Sequence, residues 1–337
     1  MIKKSVIFQG VISIIILTSL LGCGSKKHFQ PPLVSGEMLF DGKLSSNIQS
    51  SSREGAVLQD RTLVSFEDGV TPLVLEKDYK YLSQDNGRYL LQKLCQEILI
   101  VGIDDKVIQT IPYDECILSA NLKGDKLAMV LRDNTLVYYD IQKSQEIFSQ
   151  KYPSVIAINA YLASPKITSD YVIYPDLEGK VLVYSIAQNK IVKDILISSD
   201  KFFNNVIYLC MQEEYLLAAT AKRVSVVIGQ KSFKYDVDLR DLIFHHNKIY
   251  VLSIEGEILE LDHTLKLLRK VRLPFAVLSG VVINNNKLYT LEKGGYLVEL
   301  DLSDFIPKIY KNKLKKHKSV FYNRDTIFYD KVYKRFE

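Results

Sequence analysis

KIYVLSIEGEILELDH, Lys248 to His263, decides how the rest of the chain is read. Ile249 to Leu252 is a continuous apolar run, and Glu255-Gly256 supplies a turn. Ile258 to Asp262 then alternates, with Leu259 and Leu261 on one face and Glu260 on the other. An apolar run, a glycine turn and aliphatic residues at period two make a hairpin signature. The signature that opens at Ile249 returns 39 residues later as LYTLEKGGYLVELDL, Leu288 to Leu302.

Extending the comparison in both directions gives eight copies, beginning at Thr62, Tyr89, Leu127, Tyr171, Tyr215, Ile249, Leu288 and Thr326. Their spacings are 27, 38, 44, 44, 34, 39 and 38 residues. Six of the seven lie near the period of a four-stranded propeller blade. Each hairpin is preceded by a short apolar segment, such as Leu242-Ile243-Phe244 or Val281-Val282-Ile283. It is followed by a charged one, such as Lys190 to Ile195 or Leu267 to Val271. Blades stack face to face, so central strands are covered on both sides and can be apolar throughout. The outermost strand meets water, and its charges discourage edge pairing. No stretch of helical period appears after residue 35. The pattern predicts an all-β fold: a β-propeller of four-stranded blades, eight in number, with seven blades and one odd hairpin as the alternative.

The two ends fit together. The last copy stops right after its second hairpin strand, and Glu37 to Leu44 (EMLFDGKL) reads like an outer strand without a blade. This N-terminal strand is expected to complete the C-terminal blade and close the ring. Ser45 to Gly55, SSNIQSSSREG, reads as a serine-rich loop between that strand and the first blade.

The composition belongs to a folded globular chain: 337 residues, 47% hydrophobic, 25% charged, with 21 Tyr, 14 Phe and no Trp. Lys and Arg number 44 against 39 acids, a net +5 that does not point to nucleic acid. Lys3 and Lys4 precede an apolar run from Val6 to Leu21, too short for an ordinary membrane span. The run ends at Leu20-Leu21-Gly22-Cys23, which resembles the bacterial lipoprotein box. That resemblance implies removal of residues 1–22 and attachment of lipid, palmitate included, at Cys23. At about 0.8 kcal/mol per buried methylene, several chains make a stable anchor. Gly24, rather than Asp, follows the cysteine, which favours the outer membrane facing the periplasm. Residues 23–35, with Pro31-Pro32 and His28, read as a tether, and 36–337 as the propeller.

Catalytic signatures are missing: no Gly-x-Ser-x-Gly, no His-Glu-x-x-His, no Cys-x-x-Cys and no phosphate-binding glycine loop. His245-His246 falls in an expected turn and reads as surface rather than as metal ligands. Cys95 sits at a hairpin tip and Cys116 in a blade-to-blade crossover. Both features lie on one face of a propeller, so these cysteines are a candidate disulfide in an oxidising compartment, with two separate thiols as the alternative. Cys210, in VIYLCM, reads as a small buried hydrophobe. The basic run KIYKNKLKKHK, Lys308 to Lys318, reads as a solvated outer strand and crossover, or as a contact for anionic headgroups or an acidic partner. The polar turns Glu67-Asp68, Arg132-Asp133-Asn134, Glu178-Gly179, Glu255-Gly256 and Lys293-Gly294 are expected to ring one face.

Eight irregular repeats behind a lipoprotein-type leader resemble the BamB-type propeller lipoproteins of outer-membrane β-barrel assembly, and more broadly the PQQ-like repeat propellers. The Ala-x-Asp-x-x-Thr-Gly-x-x-x-Trp signature of quinoprotein repeats is absent. No cofactor, metal or small-molecule substrate is therefore expected, and the chain is expected not to be an enzyme. The resemblance implies a lipid-anchored periplasmic scaffold for envelope proteins, with the barrel-assembly machinery as the first candidate partner. A surface-exposed adhesin or host-binding lipoprotein is the alternative, and a ligand-binding or enzymatic propeller using the central channel comes third.

Overall fold

The computed structural model describes residues 28–212, 214–314 and 318–336. The leader and Cys23 lie outside them. Eight sheets form a ring, each a meander running from an inner to an outer strand. The sixth blade is typical, with strands Leu239–His245, Lys248–Ser253, Glu257–Asp262 and Leu267–Arg272. The opening stretch is thus the second and third strands of this blade, paired through Val251↔Leu259. Its inner turn, His246-Asn247, has positive φ at both residues, as does Asn285-Asn286 in the seventh blade. That is the geometry of a two-residue turn matched to strand twist, and Asn tolerates it well.

The core is divided rather than central. The described residues fall into eight apolar clusters, one at each junction between neighbouring blades. The eighth blade joins the first through Phe321, Phe328, Ile48 and Leu58, so the ring is complete. The second and third strands are buried almost throughout, whereas the outer strand Leu267–Arg272 alternates between exposed and half-buried. Glu260 does not reach solvent on its face of the hairpin. It is fully buried and held by Arg269 and by Lys248, whose Nζ lies at 2.5 Å. Burial alone would push its pKa up, but hydrogen bonds from Arg269 and Lys248 prevail and lower it.

The N-terminal segment closes two blades. Gly42–Lys43 is the outer strand of the eighth blade, antiparallel to Val332 and Tyr333, as the sequence pattern predicts. Gly36–Glu37 adds a fifth strand to the seventh blade, parallel to Tyr310 and Lys311, which the pattern does not predict. Upstream, Phe29 is buried against Tyr296, ring centroids 5.6 Å apart, so the segment read as tether already packs on the propeller there.

The first blade corrects one reading. Ser45 to Gly55 is not simply a loop: it contains the inner strand Ile48–Ser51. The second strand is Gly55–Leu58, and Thr62–Ser65 is the third. Thr62 thus opens a third strand where the other copies open at a second, one strand out of register with the repeat, which accounts for the anomalous first spacing. Glu67-Asp68 consequently lies in a turn between third and outer strands, on the face opposite the other polar turns. The basic run contributes the outer strand Pro307–Lys311, and Lys313 pairs with Glu37 at 3.1 Å. Its residues 315–317 lie outside the described set.

Candidate functional site

One face of the ring carries the tips between second and third strands together with the crossovers between blades. Cys95, at the tip between Arg88–Lys93 and Glu97–Gly102, is bonded to Cys116 in the next crossover. Their Cα atoms are 4.4 Å apart. Cys210 is a half-buried thiol whose pKa burial raises. His245 and His246 stack edge to face at 4.0 Å in their turn, and burial lowers the His245 pKa. His28 is exposed. Among the described residues no group of three or more His, Cys, Asp or Glu is placed to hold a metal ion.

Several large apolar side chains meet solvent on this tip face. Ile156 in the third crossover is 91% exposed, and Leu94 and Ile254 project from tips. The three phenylalanines exposed among the described residues lie here as well: Phe202 and Phe203 in the fourth crossover and Phe275 in the sixth. Phe203 and Phe275 have positive φ, at 53° and 65°. That region is costly for a bulky residue, although buried Leu265 and Phe305 adopt it too, at 62°, in structural turns. Exposed aliphatic residues also occur on outer strands, Val107, Ile108, Leu267 and Leu268 among them, so it is the phenylalanines that set this face apart as an interaction surface.

The tip face surrounds the mouth of a central channel. Its larger cavity, about 590 Å³, is lined by Arg53, Tyr161, Tyr208, Arg240, Asp241 and Tyr322 among others. Arg53 comes from the short inner turn of the first blade and reaches across the ring. Its guanidinium pairs with Asp241 at 2.7 Å and donates through Nε to the Ile207 carbonyl at 2.9 Å. It also lies over the rings of Tyr161 and Tyr208 at 5.5 and 5.7 Å, cation–π contacts that share the charge with the channel wall. A bulge in the sixth inner strand, between Leu239 and Asp241, inserts Arg240 as an extra residue. Arg240 and Asp241 both line the cavity. Ser279 and Tyr322 share a hydrogen bond of 2.6 Å between hydroxyls nearby. The channel thus holds clustered ionisable groups, the feature on which a ligand-binding role depends.

Comparison with known proteins places the chain. The plasminogen-binding protein PgbB of Helicobacter pylori, from strains J99 and 26695, is 33% identical over 382 aligned positions. The match covers 96% of this chain and 70% of each relative. The chain belongs to the PgbB family. No family model matches it. The fold of this PgbB-family member is shared with BamB from Moraxella catarrhalis, with a TM-score of 0.67 and 11% identity, covering 87% of this chain and 99% of that one. The C-terminal WD40 domain of Sif2 is similar at a TM-score of 0.62 and 12% identity, covering 92% and 99%. These two likenesses concern architecture alone.

Nothing in the local sequence marks Arg53 or Lys293 as a channel residue. Arg53 lies in a serine-rich segment with the composition of a loop, and Lys293 in a turn whose polar residues need no further role. A signal was present in Arg240-Asp241: two adjacent charges opening an otherwise apolar inner strand.

Proposed function

We propose that this PgbB-family chain is a non-enzymatic, protein-binding propeller of the bacterial envelope, anchored through lipid at Cys23, and that it engages plasminogen on its tip face. The observation that carries the reading is the match across nearly the whole chain to relatives named for plasminogen binding. The exposed phenylalanines supply the surface: aromatic side chains in solvent become favourable once a partner covers them, at about 25 cal/mol per Å² of apolar area. This reading prefers the host-binding alternative to barrel assembly, whose support is fold likeness to BamB.

Binding of immobilised plasminogen by the purified chain, followed by surface plasmon resonance, tests the proposal. Saturable binding is expected, weakened at least tenfold when Phe202, Phe203 and Phe275 are replaced together by Ser. No saturable binding by the parent chain overturns the partner, and unchanged binding by the triple variant overturns the face. Protease shaving of whole cells separates the two settings, because host contact requires digestion from outside. Protection from protease, together with co-purification of the barrel-assembly machinery, would instead favour the BamB-like role.

A further inference from the structure

The charges around the central cavity do not balance. Arg53 and Asp241 satisfy one another, and Arg324 reaches Glu67. Two cations remain: Arg240 on the sixth inner strand and Lys293 at the tip of the seventh blade. Neither has a side-chain hydrogen bond or ion pair among the described residues, and Arg240 Nε is buried without a protein acceptor. They are close enough to feel each other: burial first, and then the Arg240 charge, lowers the Lys293 pKa. Both side chains are half-buried at the channel wall, so their repulsion is partly screened by solvent, and an anion between them would relieve what remains.

We propose that the cavity binds a small organic oxyanion, a carboxylate or phosphate held between Arg240 and Lys293, with its apolar body against the aromatic channel wall. The guanidinium fork offers paired donors that match either oxyanion, and an ammonium beside it adds a point charge. The cavity volume of about 590 Å³ is within the usual size of small-molecule sites. Tyr208, Phe321 and Tyr322 line the same space and give an apolar body something to pack on. Inner strands of the first, second and third blades carry the same bulge, with Gln49, Leu82 and Leu118 as the extra residues; in the sixth the extra residue is a cation. The Lys293 amide donates to the Val277 carbonyl, two residues from Phe275, but the two proposals rest on different side chains and ligands, so either can fail without the other.

Titrating the full chain with benzoate, phenyl phosphate, inorganic phosphate and neutral benzamide, by calorimetry and thermal unfolding, tests the site. Benzoate or phenyl phosphate is expected to bind saturably at millimolar concentration or below and to raise the melting temperature, while benzamide does neither. Arg240→Gln and Lys293→Met should each weaken that binding at least tenfold. Without ligand, Lys293→Met should melt no lower than the parent, because it removes a repulsion while keeping an aliphatic stem. Absence of saturable binding by both aromatic anions overturns the proposal, as does binding that survives both substitutions. Binding of inorganic phosphate as tightly as phenyl phosphate overturns the apolar half of the site, and a lower melting temperature for ligand-free Lys293→Met overturns the repulsion from which it was inferred.

Discussion

Asp176 follows the second strand of the fourth blade, Tyr171–Pro175, and is fully buried. Its Oδ1 accepts the Glu178 and Lys180 amides at 3.0 and 2.6 Å, while Oδ2 is buried without a protein partner. Burial pushes its pKa up to about 7 against those hydrogen bonds. Asp140 shows the opposite result: the Lys126 ammonium, at 2.5 Å, lowers its pKa. For Asp176 the folded chain holds the proton more tightly than the unfolded chain. Its contribution to stability is therefore complete below about pH 4 and lost as pH rises through about 7. Asp176→Asn keeps the accepting oxygen and has no charge to bury. Urea unfolding should show the variant more stable than the parent at pH 8 by roughly 2 kcal/mol, with the difference shrinking toward pH 5. A pH-independent difference would count against a buried, titrating carboxyl.

At the scale of the element, the hairpins were the most legible feature of the chain. Their central strands are apolar because neighbouring blades cover both faces, and their ends carry local chemistry. Asp262 and Asp301, each closing a third strand, accept backbone amides two residues on, from Thr264 and Ser303, both at 2.8 Å. The first blade was less legible because its strands are short and its inner strand is Ile-Gln-Ser-Ser, a composition that reads as loop. Only pairing of Ser50 and Ser51 with Val57 and Ala56 makes it a strand. The Cys95–Cys116 bond spans 21 residues between second and third blades. Closing a loop of that length is worth about 3 kcal/mol on the chain-entropy model. A Cys95→Ser, Cys116→Ser double variant should lose about that much in urea unfolding, and dithiothreitol should destabilise only the parent. Equal response of both proteins to the reductant would show that the bond does not form in solution.

At the scale of the whole molecule, stability depends on the ring being closed. An open stack of repeats has two free ends, whereas here residues from both termini build one interface. Leu44 follows the closing strand, donates its amide to the Lys331 carbonyl at 2.8 Å and is buried among Ile48, Leu58, Phe321 and Phe328. Leu44→Ala should cost roughly 2 to 4 kcal/mol, the range for a large-to-small change in a packed core, measured by urea unfolding. A cost below about 1 kcal/mol would mean that the N-terminal segment is not a structural part of the ring.

The repeat number, the four-stranded unit and the closing strand follow from local pattern: period-two alternation, turn residues and the spacing of copies. Each blade carries its own instructions, so one chain read in order is enough to recover them. The channel was not legible, because Arg53 and Asp241 are separated by 188 residues and meet only after the ring closes. The same holds for Arg240 and Lys293, which belong to different blades. Periodicity determines which residues form strands; which charges share a cavity is decided by closure, since only a complete ring turns eight inner edges toward one space.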